Sequence, residues 1–307
     1  MEQISASQNG DFFSTVLDTI CDGGYNKIMK SKGGESMENA IAEAQRMQGY
    51  IVAKANQFIL HSRYDLSLME QRILACMIAT IDSRPTSTRF ENQLLDCELN
   101  IDTFCELCKI KKRGSVAYLK EVTKGLRDQS FWMETEDGIS ETFSWVEKVI
   151  IDEKKNTIML RFSQDMKPYL LNLNSDFSSY KLPMILRFSS RYTNIIFDLI
   201  YAEYGRTKEH QHLGHLSISV DEMKARVQIK KNKENKIVNQ NITFKNLRVR
   251  ILEPAIKEIN DFTDIMVDIL YIKNGRKIET IKFVFRPKTK AELATVPAFS
   301  ENRIENL

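Results

Sequence analysis

Apolar and polar positions follow the same course twice along this chain. In the first pass Leu99-Asn100-Ile101-Asp102-Thr103-Phe104 leads to Cys108 and Ile110; in the second Ile218-Ser219-Val220-Asp221-Glu222-Met223 leads to Val227 and Ile229. Each copy is a short apolar stretch, a residue of cap type, and a helix with apolar positions at matching spacing. Each is followed by a basic amphipathic helix and two β-rich runs. Helix, basic helix and hairpin in that order predict a winged helix-turn-helix. Two such units predict an α+β chain of two tandem winged helix-turn-helix domains of similar topology.

Ser67 and Glu70 have capping-box spacing ahead of Ile73, Leu74, Met77, Ile78 and Ile81, a helix that Arg84-Pro85 ends. The first unit then predicts a short helix near 101–109 and a break at Lys111-Lys112-Arg113-Gly114. A second helix is expected near 115–129, strands at 142–151 and 157–163, and a turn from Asp152 to Asn156 with Lys154 and Lys155 at its tip. Tyr169-Leu170-Leu171 and the polar run 172–180 read as a link, 190–204 as a helix and 205–214 as a loop. The second unit starts with a capping box at Ser219 and Glu222, a helix over 220–228 and a basic loop from Lys230 to Asn241. A helix near 243–260 puts Phe244, Leu247, Ile251, Ala255 and Ile259 on one stripe, and Pro254 is expected to kink it or leave its C-terminal half irregular. Strands at 264–272 and 278–286 flank Asn274-Gly275, a strong hairpin signal. The division this gives is an extension (1–50, partly disordered or helical), a first domain (51–175), a second domain (176–287) and an extended, mobile tail (288–307).

Composition narrows the function. The 307 residues are 42% apolar and 28% charged, with a net charge of only +3, so a nucleic-acid footprint requires local clustering. Residues 223–260 supply it, with ten Lys and Arg against three Asp and Glu. Five scattered cysteines fit a reducing compartment better than a disulfide framework. With no secretory pattern at the N-terminus and no apolar run of the roughly 20 residues a membrane span needs, a cytoplasmic protein without a membrane partner is expected.

A recognition helix docks by an apolar face and offers donors on the other, near its N-terminus, where Arg and Lys bond guanine and Asn bonds adenine. Lys245, Asn246 and Arg250 point away from the stripe. Arg248 lies at its margin, where it can snorkel toward a phosphate. Lys273, Arg276 and Lys277 at the hairpin tip suit a wing; alone they would read as a solvated basic turn, and the basic helix and duplicated layout beside them favour the wing. Lys120, Lys124 and Arg127 in the first unit, with Lys111, Lys112 and Arg113 before them, suit backbone contact more than base readout, and an exposed helix face reads them about equally well.

Other chemistry is thin. Cys105 and Cys108 have redox or metal spacing without a second pair, on a helix that can bury both. His210, His212 and His215 cluster in a polar loop with no ligand to complete a metal site. A phosphate-binding Gly-x4-Gly-Lys-Ser/Thr loop is lacking. A metal-dependent nicking initiator needs a histidine pair and a tyrosine nucleophile; His210-Gln211-His212 has a polar centre, and Tyr201 and Tyr204 precede it. No enzyme, metal site or cofactor is therefore expected.

Several stretches resemble the iteron-binding initiator proteins of theta-replicating plasmids. They are Leu66 to Leu74; Pro168 to Leu173 with Phe177, Tyr180 and Leu182; Ser190 to Leu199, with Ile195-Ile196 in place of the usual arginine; and, most specifically, Phe244 to Asn260 with Thr263-Asp264 and Lys273 to Lys277. The likeness covers about residues 50–287. It implies two winged-helix domains, the second reading a direct-repeat iteron in the major groove, the first contacting the backbone nearby and serving as a dimer interface. It further implies monomers that bind origin repeats, help melt the origin and engage the host replicative helicase and host initiator. Dimers in equilibrium with them repress the protein's own promoter. Lys245, Asn246, Arg248 and Arg250 are the implied iteron contacts, with Lys273, Arg276 and Lys277 on the wing. A transcriptional repressor without origin function uses the same fold and is the first alternative; a metal-dependent nicking initiator is the second.

Overall fold

Ser67 and Glu70 close the capping box that their spacing predicts: the Ser67 N–H donates to Glu70 Oε2 at 2.7 Å and the Glu70 N–H to Ser67 Oγ at 3.3 Å. They start the buried helix at the centre of the first domain. The computed structural model describes residues 37–84, 95–110, 114–134, 138–207, 213–227 and 242–297.

The first half runs α1 (Met37–Met47), β1 (Ile51–Ala55), α2 (Asn56–His61), β2 (Ser62–Arg63) and α3 (Leu68–Ile78). The first helix-turn-helix follows as β3 (Asp96–Asn100), α4 (Ile101–Cys108) and α5 (Ser115–Asp128), and then β4 (Ser130–Glu134), β5 (Ser140–Ser144), β6 (Val146–Asp152) and β7 (Thr157–Phe162). Asn100 caps α4, accepting from the N–H groups of Asp102 (2.8 Å) and Thr103 (3.1 Å). α1 packs on α4, and its Ala40, Ala44 and Met47, which recur at helical spacing, are buried.

The strand expected at 142–151 is two strands in different sheets. β5 pairs with β4, a strand not expected from the sequence, while β6 pairs with β7. Trp145 marks the switch, buried with its ring 4.5 Å from Phe131 and 5.1 Å from Tyr64. Pulling that indole into the core turns the chain from one sheet to the other.

The expected link contains α6 (Lys167–Leu170) and β8 (Phe177–Lys181), followed by α7 (Leu182–Leu186) and α8 (Arg191–Thr207). β8 pairs antiparallel with β1, so a ladder crosses the expected boundary at residue 175. The ladder is sealed by a buried ion pair: Lys54 Nζ lies 2.5 Å from Asp198 of α8, whose other oxygen accepts from Tyr180 Oη at 2.6 Å.

The second half runs β9 (Gly214–Ser219), α9 (Val220–Val227), α10 (Phe244–Leu247), a π-helical turn (Arg248–Leu252), α11 (Glu253–Phe262), β10 (Ile265–Asn274), β11 (Lys277–Pro287) and α12 (Lys290–Ala294). The internal repeat is a repeat of topology. Of the three-stranded sheets, one has the order β3-β7-β6 and another the order β9-β11-β10. In each, the strand leading into the first helix pairs with the last strand of the hairpin. Of the capping box expected at α9, the Ser219 half is present, with its Oγ accepting from the Glu222 N–H at 3.0 Å. The Glu222 carboxylate turns instead to two arginines.

Two expectations are corrected in this half. The irregular stretch at Pro254 lies before it, not beyond: the Glu253 N–H bonds the Arg248 carbonyl five residues back, and the helix then runs unbroken to Phe262. Proline has no N–H to return to residue 250, and a wider turn absorbs the gap. The start of the tail is ordered. Lys288 is buried with its ammonium on the Asn260 carbonyl at the end of α11, and Thr289 and Glu292 form a capping box for α12. Among the described residues no helix is long and apolar enough to cross a membrane.

Candidate nucleic-acid interface

Thr243 caps the composite helix of the second domain, its Oγ1 accepting from the Asn246 N–H at 3.3 Å. Leu247, Ile251, Leu252, Ala255, Ile256 and Ile259 are buried and seat the helix on its domain. On the other side Lys245, Arg248 and Arg250 are exposed, and Asn246 is half-buried. The wider π turn lets Ile251 and Leu252 both enter the core and still leaves three successive residues, 248 to 250, facing out.

Arg248 is more tightly placed than its position in the sequence suggests. Its Nε donates to Glu253 Oε1 at 2.6 Å, and its guanidinium lies over the Tyr271 ring, 5.5 Å from the centroid. Residues five apart do not stack on an α-helix, but the i to i+5 turn sets one above the other. Tyr271 also meets Phe244 edge-on at 5.3 Å. The start of the helix thus rests on β10, two residues from Lys273.

Lys273, Arg276 and Lys277 are all exposed at the β10–β11 tip, where Asn274 pairs with Lys277 across a two-residue turn and Gly275 takes a φ of 60°. A bulge between Ile272 and Lys273 twists the tip. Among the described residues, Lys245, Arg250, Lys273, Arg276 and Lys277 make no ion pair, so their charge is available to a ligand.

In the first domain Leu119, Thr123 and Leu126 of α5 are buried, and Lys120, Lys124 and Arg127 line its exposed side. Lys120 reaches Glu153 on the β6–β7 hairpin at 2.5 Å, and Arg127 lies 3.9 Å from Asp128. Lys111, Lys112 and Arg113, and the basic loop from Lys230 to Asn241, lie outside the described residues.

Tyr201 and Tyr204 are core residues: Tyr201 Oη lies 3.2 Å from Asp264 Oδ2, and burial pushes the Tyr204 phenol up to about 12. Cys105 and Cys108 are buried on α4. His215 is exposed on β9, and His210 and His212 lie outside the described residues.

The fold and this cationic face define a tandem winged-helix protein. A family model for the Initiator Replication protein, WH1, matches residues 51–201, and one for the Initiator Rep protein, WH2, matches residues 219–285. The chain belongs to this family of replication initiators. The PI protein of Escherichia coli is 24% identical over 248 residues, which take in 73% of this chain and 79% of that protein. The crystal structure of Pi initiator protein in complex with iteron DNA superposes with a TM-score of 0.63 at 22% identity, over 78% of this chain and 98% of that one. The WH1 match runs past residue 175 and takes in β8, in keeping with the β1–β8 ladder.

Proposed function

We propose that this protein starts plasmid replication by binding direct repeats, or iterons, at its origin, with the second domain reading the major groove and the first gripping the neighbouring backbone. One observation carries the reading. The Phe244–Tyr271–Arg248 contacts hold the recognition helix against the hairpin, so that two sets of exposed cations belong to one face. In this reading Lys245, Asn246, Arg248 and Arg250 meet base edges or nearby phosphates, and Lys273, Arg276 and Lys277 lie along the backbone or in the minor groove. Lys120, Lys124 and Arg127 add phosphate contacts. The action is to bind and distort DNA, without covalent chemistry. The PI relative and the iteron complex of Pi support the choice of ligand. The family resemblance supports the remaining partners: the host helicase and host initiator, and a second copy of this chain in a dimer that represses its own promoter in the cytoplasm.

Footprinting on the replicon's own repeats tests the reading. Arg250→Ala is expected to weaken iteron binding by roughly 1–3 kcal/mol, about 5- to 150-fold, and to abolish origin function. Unchanged iteron binding by Arg250→Ala would remove Arg250 from the site. Binding confined to a promoter palindrome, with no origin function, would favour the repressor.

A further inference from the structure

A chain of charged groups joins the two winged-helix domains and takes no part in the DNA contacts proposed above. Arg226 stands in the last turn of α9, and its side chain is only 11% exposed. Its Nε donates to Glu222 Oε1 at 2.7 Å. Its two terminal nitrogens cross to the first domain, Nη1 to the Ile59 carbonyl at 3.5 Å and Nη2 to the Leu60 carbonyl. Both carbonyls lie at the C-terminal end of α2, where the helix collects partial negative charge and favours a cation. The other oxygen of Glu222 accepts from Arg63 Nη2 on β2 at 2.9 Å, and Arg63 lies 3.8 Å from Glu134 on β4. One carboxylate of the second domain is thus shared by an arginine from each domain.

Such a junction is stiff for two reasons. The planar guanidinium fork satisfies acceptors on two separate elements only at one relative orientation of them. Arg226 is nearly enclosed, so taking it off its acceptors leaves a buried charge uncompensated, and partial opening is costly. The junction also sits close to the reading head, because α9 is the first helix of the second helix-turn-helix.

We propose that Arg226 is a positioning residue that fixes the angle between the two DNA-binding faces, so that the chain accepts only one spacing between the two segments it covers. The inference rests on the reading that both domains lie on the duplex. Two linked modules gain from each other only when geometry lets both engage at once. A rigid junction turns that condition into a measurement of helical phase.

The full chain would be footprinted with hydroxyl radicals on its direct repeat, and on the same repeat with about half a helical turn of DNA inserted between the two protected segments. The native chain is expected to prefer the unaltered repeat by about tenfold or more. Arg226→Ala is expected to protect the segment under the second domain as before and lose the segment under α5. Its preference should fall to near one, and its salt dependence should be shallower. Arg226→Lys keeps the charge without the fork and should behave like Arg226→Ala. Arg63→Ala, at a residue one-third exposed, tests the same junction from the first domain if Arg226→Ala does not fold. Retention of the native preference by the folded variants overturns the proposal alone. A native chain that protects a single segment overturns it together with the two-domain reading.

Discussion

Arg248 shows how a single residue changes meaning once its neighbours are known. A wheel puts it at the edge of the apolar stripe, where it looks like a loose phosphate contact. In the folded chain Glu253 holds its Nε and Tyr271 lies beneath the guanidinium, leaving Nη1 and Nη2 for a ligand. A guanidinium presented by that pair of nitrogens is set up for bidentate bonding to a guanine edge. An exposed ion pair adds little stability on its own, so the value of Glu253 lies in orientation. Glu253→Gln is accordingly expected to leave thermal stability nearly unchanged and to bind nonspecific DNA as well or better, since one negative charge leaves the face. Discrimination at one base pair of the iteron should fall by about 1 kcal/mol, roughly fivefold. Binding measured over a panel of single-base substitutions checks this, and an unaltered panel would mean that Arg248 meets the backbone alone.

At the scale of elements, what the sequence made legible was what local chemistry dictates. The Ser67–Glu70 box, the α5 faces, the Asn274-Gly275 hairpin and the two helix-turn-helix pairs all follow from residues within a turn or two of one another. What it hid depends on distant partners. Trp145 breaks a run of strand residues because an aromatic pocket formed by Phe58, Tyr64 and Phe131 waits for it. β8 is a strand because β1, more than 120 residues earlier, offers it an edge. The Glu253–Arg248 pair needs a π turn, which has no signature beyond Pro254 itself. The hairpin offers a local test. Gly275 sits at a φ of 60° in open space, so an added methyl meets backbone strain and no clash. Gly275→Ala should cost about 1 kcal/mol in a thermal or denaturant melt. It should weaken DNA binding further by disturbing the placement of Lys273, Arg276 and Lys277. A variant equal to the native chain in both measurements would show that the tip tolerates other turns and that the wing's geometry is not what binds.

Over the whole molecule the charge is small but unevenly spread. Residues 223–260 carry +7 of a total of +3, leaving −4 for the rest. Such a distribution is expected to steer the second domain onto DNA ahead of the first. The contribution of the first domain then depends on cations that are partly engaged within the protein. Lys124 has no ion-pair partner among the described residues, so each phosphate it meets releases a counterion in full. Lys120 must give up Glu153 to do the same, although with side chains 56% and 60% exposed that pair is weak and readily exchanged. Lys124→Ala should therefore lower the slope of log affinity against log salt by about one, equally on iteron and nonspecific duplex. Lys120→Ala should lower it by less, and Glu153→Gln should strengthen binding at low salt by releasing Lys120. If none of the three moves the slope, α5 does not lie on the backbone, and the second domain holds the DNA unaided.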